Sequence, residues 1–241
     1  SNPLYPAGLT FDTSGNLYLT DPADHLIWKV LANSSTANIF AGSTAGYADA
    51  LGTLAKFDGP YGIVSDSQGN LYVAEYNNHR IRKITPDGQV STLAGGGTAG
   101  SANGNGVLAQ FNHPYDLAID SSGNLFVSDF GGHKIRKITP NGDVTTLAGS
   151  TQGYSDGTGS SAKFNSPIRI TVAPNGNIFV ADYENHRIRE ITPEGIVTTL
   201  AGSDMGYADG ASSIAQFNRP IGIIMDGDHN ILIADQRNNR I

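Results

Sequence analysis

Residues 60–95 read PYGIVSDSQGNLYVAEYNNHRIRKITPDGQVSTLAG. Four β-prone runs lie between turn residues: YGIVS, LYVAEY, RIRKI and VSTLAG, here strands a to d. They are rich in branched and aromatic side chains, which suit a pleated, half-buried surface. DSQGN joins a to b, with Asp66 placed to cap the turn and Gly69 to supply its left-handed residue. TPDG joins c to d, with Pro86 at a favoured first turn position and Gly88 after it. Links this short make antiparallel hairpins, so the stretch reads as a four-stranded meander.

The stretch recurs. Its anchoring prolines are Pro6, Pro60, Pro114, Pro167 and Pro220, spaced 54, 54, 53 and 53 residues apart. The acids ending strand b (Asp21, Glu75, Asp129, Asp182, Asp235) keep that spacing. So do His25, His79, His133 and His186, with Asn239 in the fifth copy. Both faces of strand b are apolar: Leu71 and Val73 on one, Tyr72 and Ala74 on the other. A sheet apolar on both faces needs cover on both. Repetition supplies it when each sheet packs on the next, which predicts an all-β protein, a β-propeller of four-stranded antiparallel blades.

The motif N-H-R-I-R-K-I at 78–84, with G-I-V-S-D at 62–66 and G-N-L-Y-V-A-E at 69–75, resembles the NHL repeat. The resemblance covers essentially the whole chain. It implies a propeller, most often six-bladed in that family, and no single activity. Family members include protein-binding and RNA-binding modules, parts of large cell-surface proteins and a metal-using lyase. Five strands a, b and c are visible but four strands d, because the sequence stops at Arg240-Ile241 within the fifth strand c. The expectation is one domain over 1–241, forming part of a six-bladed ring in a longer chain.

The formal charge of −7 disfavours non-specific nucleic-acid binding, which needs clustered cations. With no cysteine, disulfides and thiol chemistry are excluded. No run of 18 apolar residues marks a membrane span. Residues 1–10 carry no signal-peptide pattern, and the absent initiator Met leads to an expectation that a leader or upstream domain has been removed. The absence of cysteine fits a bacterial protein, and few lysines beside abundant Asn, Gly, Ser and Thr lean towards one that is secreted, periplasmic or at the cell surface.

The d–a connections carry Gly-Tyr-Ala/Ser-Asp at 46–49, 153–156 and 206–209, then A-x-F before the proline. Each reads as a loop with one helical turn whose Phe (Phe57, Phe111, Phe164, Phe217) plugs the wedge between sheets. The recurrent histidines read as structural groups bonding within the b–c turn, because ligands of one metal must lie close together and these sit one repeat apart. The recurrent acids read as caps of that turn. The D-x-x-G-N turns only faintly resemble calcium loops, which need a distal bidentate Glu. No G-x-S-x-G, H-E-x-x-H, P-loop or dinucleotide fingerprint occurs, so no catalytic residue, metal or cofactor is assigned.

Positions that break the repeat are the informative ones. Before the proline stand Tyr5, Gly59, His113, Ser166 and Arg219; after it, Ala7, Tyr61, Tyr115, Ile168 and Ile221. Two after it stand Gly8, Gly62, Asp116, Arg169 and Gly222. Propeller geometry places these at the mouth of a central channel. In repeat three Gly131-Gly132, beside Phe130, replaces the bulkier turn Asn77-Asn78. The candidate binding residues are Tyr61, His113, Tyr115, Asp116, Phe130, Arg169 and Arg219. Asp116 and Arg169 read either as an ion pair, with glycine elsewhere because nothing is needed, or as a ligand site. The expected function is a non-catalytic scaffold binding a protein or glycan through the face of the d–a and b–c loops. The alternative is a lyase or lactonase-like hydrolase at the channel mouth.

Overall fold

A computed structural model describes residues 6–241, in two compact units. The first runs to Leu117 and includes Asn141–Val144. The second comprises Ala118–Pro140 and Thr145–Ile241. Tyr5 lies outside the described residues.

The first unit holds two four-stranded antiparallel sheets, each in the order a-b-c-d. Sheet one is Leu9–Phe11, Leu17–Asp21, Leu26–Val30 and Ala37–Gly42. Sheet two is Pro60–Ser65, Leu71–Glu75, Arg80–Ile84 and Val90–Ala94, close to the expected runs. Central register is regular, from Leu71 opposite Ile84 to Glu75 opposite Arg80. The sheets share one core, in which Tyr18, Ile27 and Ala41 of sheet one meet Ile63, Val73 and Val90 of sheet two. Phe57 and Ala55 are fully buried in that core, so the loop does deliver a plug. A fully buried Phe contributes about 1.5–3 kcal/mol by leaving water.

The loop ahead of sheet two also does something the sequence did not suggest. It forms the expected helical turn, Gly52–Leu54, but first runs along outer strand d. Gly52 N–H donates to Gly88 O at 2.9 Å, and Val90 N–H donates to Ala50 O at 2.9 Å. The next loop pairs Gly104–Asn105 with Asp143 and Val144. Covering strand d in this way occupies an edge that would otherwise invite pairing with another chain.

In the second unit, repeat three contributes strand b (Leu125–Asp129) paired with strand c (Lys134–Ile138). Repeat four has strands Pro167–Val172, Ile178–Asp182, Arg187–Ile191 and Ile196–Ala201, with Gly157–Thr158 against strand d. Phe126 and Ile135 of repeat three pack with Phe164, Ile170 and Val180 of repeat four. Repeat five has strands Pro220–Met225 and Ile231–Asp235, then a 3-10 turn and a single bridge from Asp235 to Arg240.

Gly8 and Gly62, each two residues after a proline, are required rather than neutral, which corrects the sequence reading at those two positions. A Cβ on Gly62 would lie 2.6 Å from Asp116 Cα and 2.9 Å from Tyr115 O. One on Gly8 would lie 2.4 Å from Tyr61 O. Successive strands a thus approach each other backbone to backbone. Thr20 Oγ1 closes one such gap, accepting from Gly8 N–H at 2.8 Å and donating to Tyr61 O at 2.6 Å. Gly62→Ala is therefore expected to destabilise the protein by about 1–3 kcal/mol, as overpacking does, measured as a lower urea midpoint at unchanged slope.

Candidate functional site

The recurrent acids do more than cap a turn. Glu75 is fully buried and accepts from Arg82 Nη1 at 2.7 Å, Asn78 Nδ2 at 2.7 Å and Asp58 N–H at 2.9 Å. Arg82 is 0% exposed. Its other end donates to Ala48 O at 2.9 Å and pairs with Asp49, while its guanidinium lies 5.2 Å from the Phe57 ring centroid. Asp182, Arg189, Asn185 and Asp156 repeat the arrangement. Asp235, Arg240, Asn238 and Asp209 do so again, and Asp129 pairs with Arg136 at 3.4 Å. In repeat one Trp28 takes the arginine's place. There Asp21 Oδ2 and Trp28 Nε1 are buried with no hydrogen-bond partner among the described residues.

The recurrent histidines are structural, but their bond leaves the turn, contrary to expectation. Nδ1 of His25, His79, His133 and His186 accepts the backbone N–H of Gly59, His113, Ser166 and Arg219 at 3.3, 3.1, 3.1 and 3.1 Å. Each is the residue before the next repeat's proline. The four histidines have φ of 59°, 53°, 54° and 56°, a left-handed region that His and Asn tolerate better than most residues. Asn239 takes the same conformation in repeat five, at φ 53°.

The D-x-x-G-N turns are closed by their own donors. Asp66 Oδ1 accepts from Gln68 and Asn70 N–H, and Oδ2 accepts from Asn70 Nδ2 and the Tyr72 hydroxyl. Among the described residues, no group of three or more His, Cys, Asp or Glu is placed to hold a metal ion.

Away from these repeating groups, rings gather in the first unit. Tyr61 stacks on Tyr115 with centroids 4.7 Å apart, and Tyr76 lies 5.4 Å from Tyr61. The His113 ring is 4.5 Å from Tyr76 and 4.5 Å from His79. All five rings are half-buried. Burial raises the Tyr76 pKa and lowers those of His79 and His113, favouring the neutral form of each of these three groups. Asp116 is buried beside Gly62.

Of the expected site residues, the structure therefore brings together Tyr61, His113 and Tyr115, with Asp116 adjoining in the same strand as Tyr115. Tyr76 and His79 were missed because they follow the repeat: Tyr76 corresponds to Phe130 and Tyr183. Only their neighbours differ. Phe130, Arg169 and Arg219 belong to the second unit, each half-buried. Arg219 is paired with Glu184 at 3.0 Å, and its guanidinium lies 5.5 Å from the Tyr183 ring centroid.

The family model described as "NHL repeat" matches residues 57–84 and 164–191. These spans run from the plugging Phe to the end of strand c in repeats two and four. The chain belongs to the NHL-repeat family. NHL repeat-containing protein 2 of Gallus gallus is 39% identical, over 99% of this chain and 38% of that protein. This NHL chain thus spans about four-tenths of the length of the curated relatives it matches. An auxiliary nutrient binding protein from Bacteroides ovatus has the same fold, with TM-score 0.77 and 21% identity over 100% of this chain and 58% of that one. Virginiamycin B lyase from Staphylococcus aureus matches with TM-score 0.68 and 18% identity, over 99% and 66%. The fold is a β-propeller fold.

Two outcomes follow from the repeating groups. Arg82→Met leaves Glu75 buried without its counter-charge and is expected to cost about 3–5 kcal/mol, read from denaturant melts. The second concerns pH. Burial depresses the His133 and His186 pKa values, as it does that of His79. Below about pH 6.5 the unfolded chain then binds protons that the folded imidazoles do not. Stability is full above that pH and falls as pH drops below it. Burial pushes Asp182 up to about 6 against the pull of Arg189, so its protonation acts in the opposite sense. His133→Asn borrows the repeat-five solution and removes one imidazole. Its unfolding free energy should lose less than that of the wild type between about pH 7.5 and about pH 5, and the difference isolates that imidazole.

Proposed function

We propose that this chain is a recognition scaffold that binds a protein or glycan ligand through side chains carried on the d–a and b–c loops and strand starts. The observation that carries this reading is the ring cluster of Tyr61, Tyr76, Tyr115 and His113. Tyr61, Tyr115 and His113 stand at positions where the repeat varies and meet Tyr76, where an aromatic recurs, on strands whose other contacts are repeated. Tyrosine is favoured at recognition surfaces because it offers a large amphipathic face at low entropy cost. Aromatic faces with polar edges suit a ligand such as a pyranose or an aromatic peptide side chain. Similarity to a nutrient binding protein is in keeping with ligand capture, though at that identity it speaks for the fold alone. The lyase reading has only the shared fold behind it.

The test is binding of the wild type, Tyr61→Ala and Tyr115→Ala on glycan and peptide arrays. Loss of a central aromatic anchor is expected to cost about 2 kcal/mol of affinity, with the urea midpoint displaced far less than in Gly62→Ala. Array binding unchanged in both variants would remove the cluster from the recognition surface.

A further inference from the structure

We infer that the second unit carries an oxyanion-binding pocket formed by Arg237, Arg219, His186, Asn218 and Met205. The cavity has a volume of about 270 Å³ and opens to solvent. That is just under the usual range for organic ligands, about 300–1,000 Å³, and suits a small anion or the acidic group of a larger molecule.

The repeat itself supplies the comparison. Arg237 occupies the b–c turn position held by Asn77, Gly131 and Glu184 in the preceding repeats. Arg219 occupies the position held by Gly59, His113 and Ser166, and Asn218 that held by Asp58, Asn112 and Asn165. Where repeats one and two meet, this place carries an acid, Asp58, which accepts from Asn77 Nδ2 at 2.9 Å. Where repeats three and four meet it carries Glu184 as the turn residue. The equivalent place between repeats four and five has no carboxylate among its lining residues and has two arginines. Glu184 offsets Arg219 by pairing with it, so the charge the fifth repeat adds at this place is that of Arg237.

Arg237, His186 and Asn218 have donors to spare. Arg237 is exposed and has no carboxylate within ion-pair distance among the described residues. Arg219 is held by Glu184, which fixes its guanidinium rather than leaving it mobile. His186 accepts the Arg219 N–H on Nδ1, so the neutral ring carries its proton on Nε2 and is a donor there. Asn218 spends its backbone groups on Asp235 and Arg237, and among the described residues no hydrogen bond engages its side-chain amide. A guanidinium fork, an imidazole N–H and an amide are the donor set that carboxylate, sulfate and phosphate groups select. The chain's charge of −7 gives no long-range attraction for anions, so binding rests on these local donors.

The probes are glucuronate, inorganic sulfate and inorganic phosphate, with glucose as the neutral counterpart of glucuronate. They are titrated at low salt into the 15N-labelled protein and Arg237→Gln, following the side-chain signals of His186 and Arg237. At least one acidic probe should shift His186 saturably, glucose should not, and Arg237→Gln should weaken binding about tenfold or more without changing the melting temperature. Which probe binds distinguishes a carboxylate ligand from a sulfated or phosphorylated one. Shifts that do not saturate, or that appear equally at other arginines, overturn the proposal, as does undiminished binding by Arg237→Gln. Tyr61→Ala and Tyr115→Ala should titrate like the wild type, so this pocket and the ring cluster stand or fall separately.

Discussion

A guanidinium with no access to water sits inside three of these repeats, and the rest of each repeat is arranged around it. Burying a charge is costly unless it is paired and hydrogen-bonded. Arg82 answers with Glu75 from strand b, Asp49 from the preceding loop and the carbonyls of Ala48 and Lys56. A pair of this kind adds little net stability over an apolar replacement, but it tolerates few other arrangements. Satisfying Arg82 draws the loop in over strand c and seats Phe57 against the guanidinium. That sets where the next proline starts strand a. The histidine clasp then fixes the residue before that proline, so the loop is held at both ends.

Because these contacts repeat, they leave a small set of positions free to vary: the residue before the proline, the one after it, and the second residue of the b–c turn. Side chains there are presented from a backbone held by neighbouring repeats rather than by themselves. In the first unit they bring aromatic rings together with Tyr76. In the second, Arg219 and Arg237 come to one cavity. A rigid frame with a few variable outposts is an arrangement suited to recognition.

Much of the architecture was legible without coordinates. Strands a to d of repeat two follow from their β-branched runs and from turns with Asp66, Gly69 and Pro86, all interactions between residues a few positions apart. The plug role of Phe57 follows from its recurrence beside Ala55. Less was legible at the site. The ring cluster joins Tyr76 to His113, 37 positions apart, and the sequence marked His113 but not Tyr76, because an aromatic recurs at the latter position. The arginine pairs were hidden because their partners lie in strand b and in the loop of the preceding repeat, the latter far from R-I-R along the chain. Their signal was present in the fixed spacing of Asp49 to Arg82 and Asp156 to Arg189, 33 positions in both.

The sequence by itself determined the repeat, the strands, the turns and the family, because these depend on local propensity and on a period that any copy reveals. Tertiary structure alone decided which repeated polar residues are buried. Glu75, Arg82 and His79 become structural only when a loop from the preceding repeat, or a backbone N–H of the next, closes on them. It also decided that Gly62 must be glycine, since the atom that forbids a side chain there belongs to Asp116, 54 residues further along the chain. The physical reason is the same in each case: burial and steric exclusion are set by atoms brought close through space, and the one-dimensional pattern records only that such positions recur.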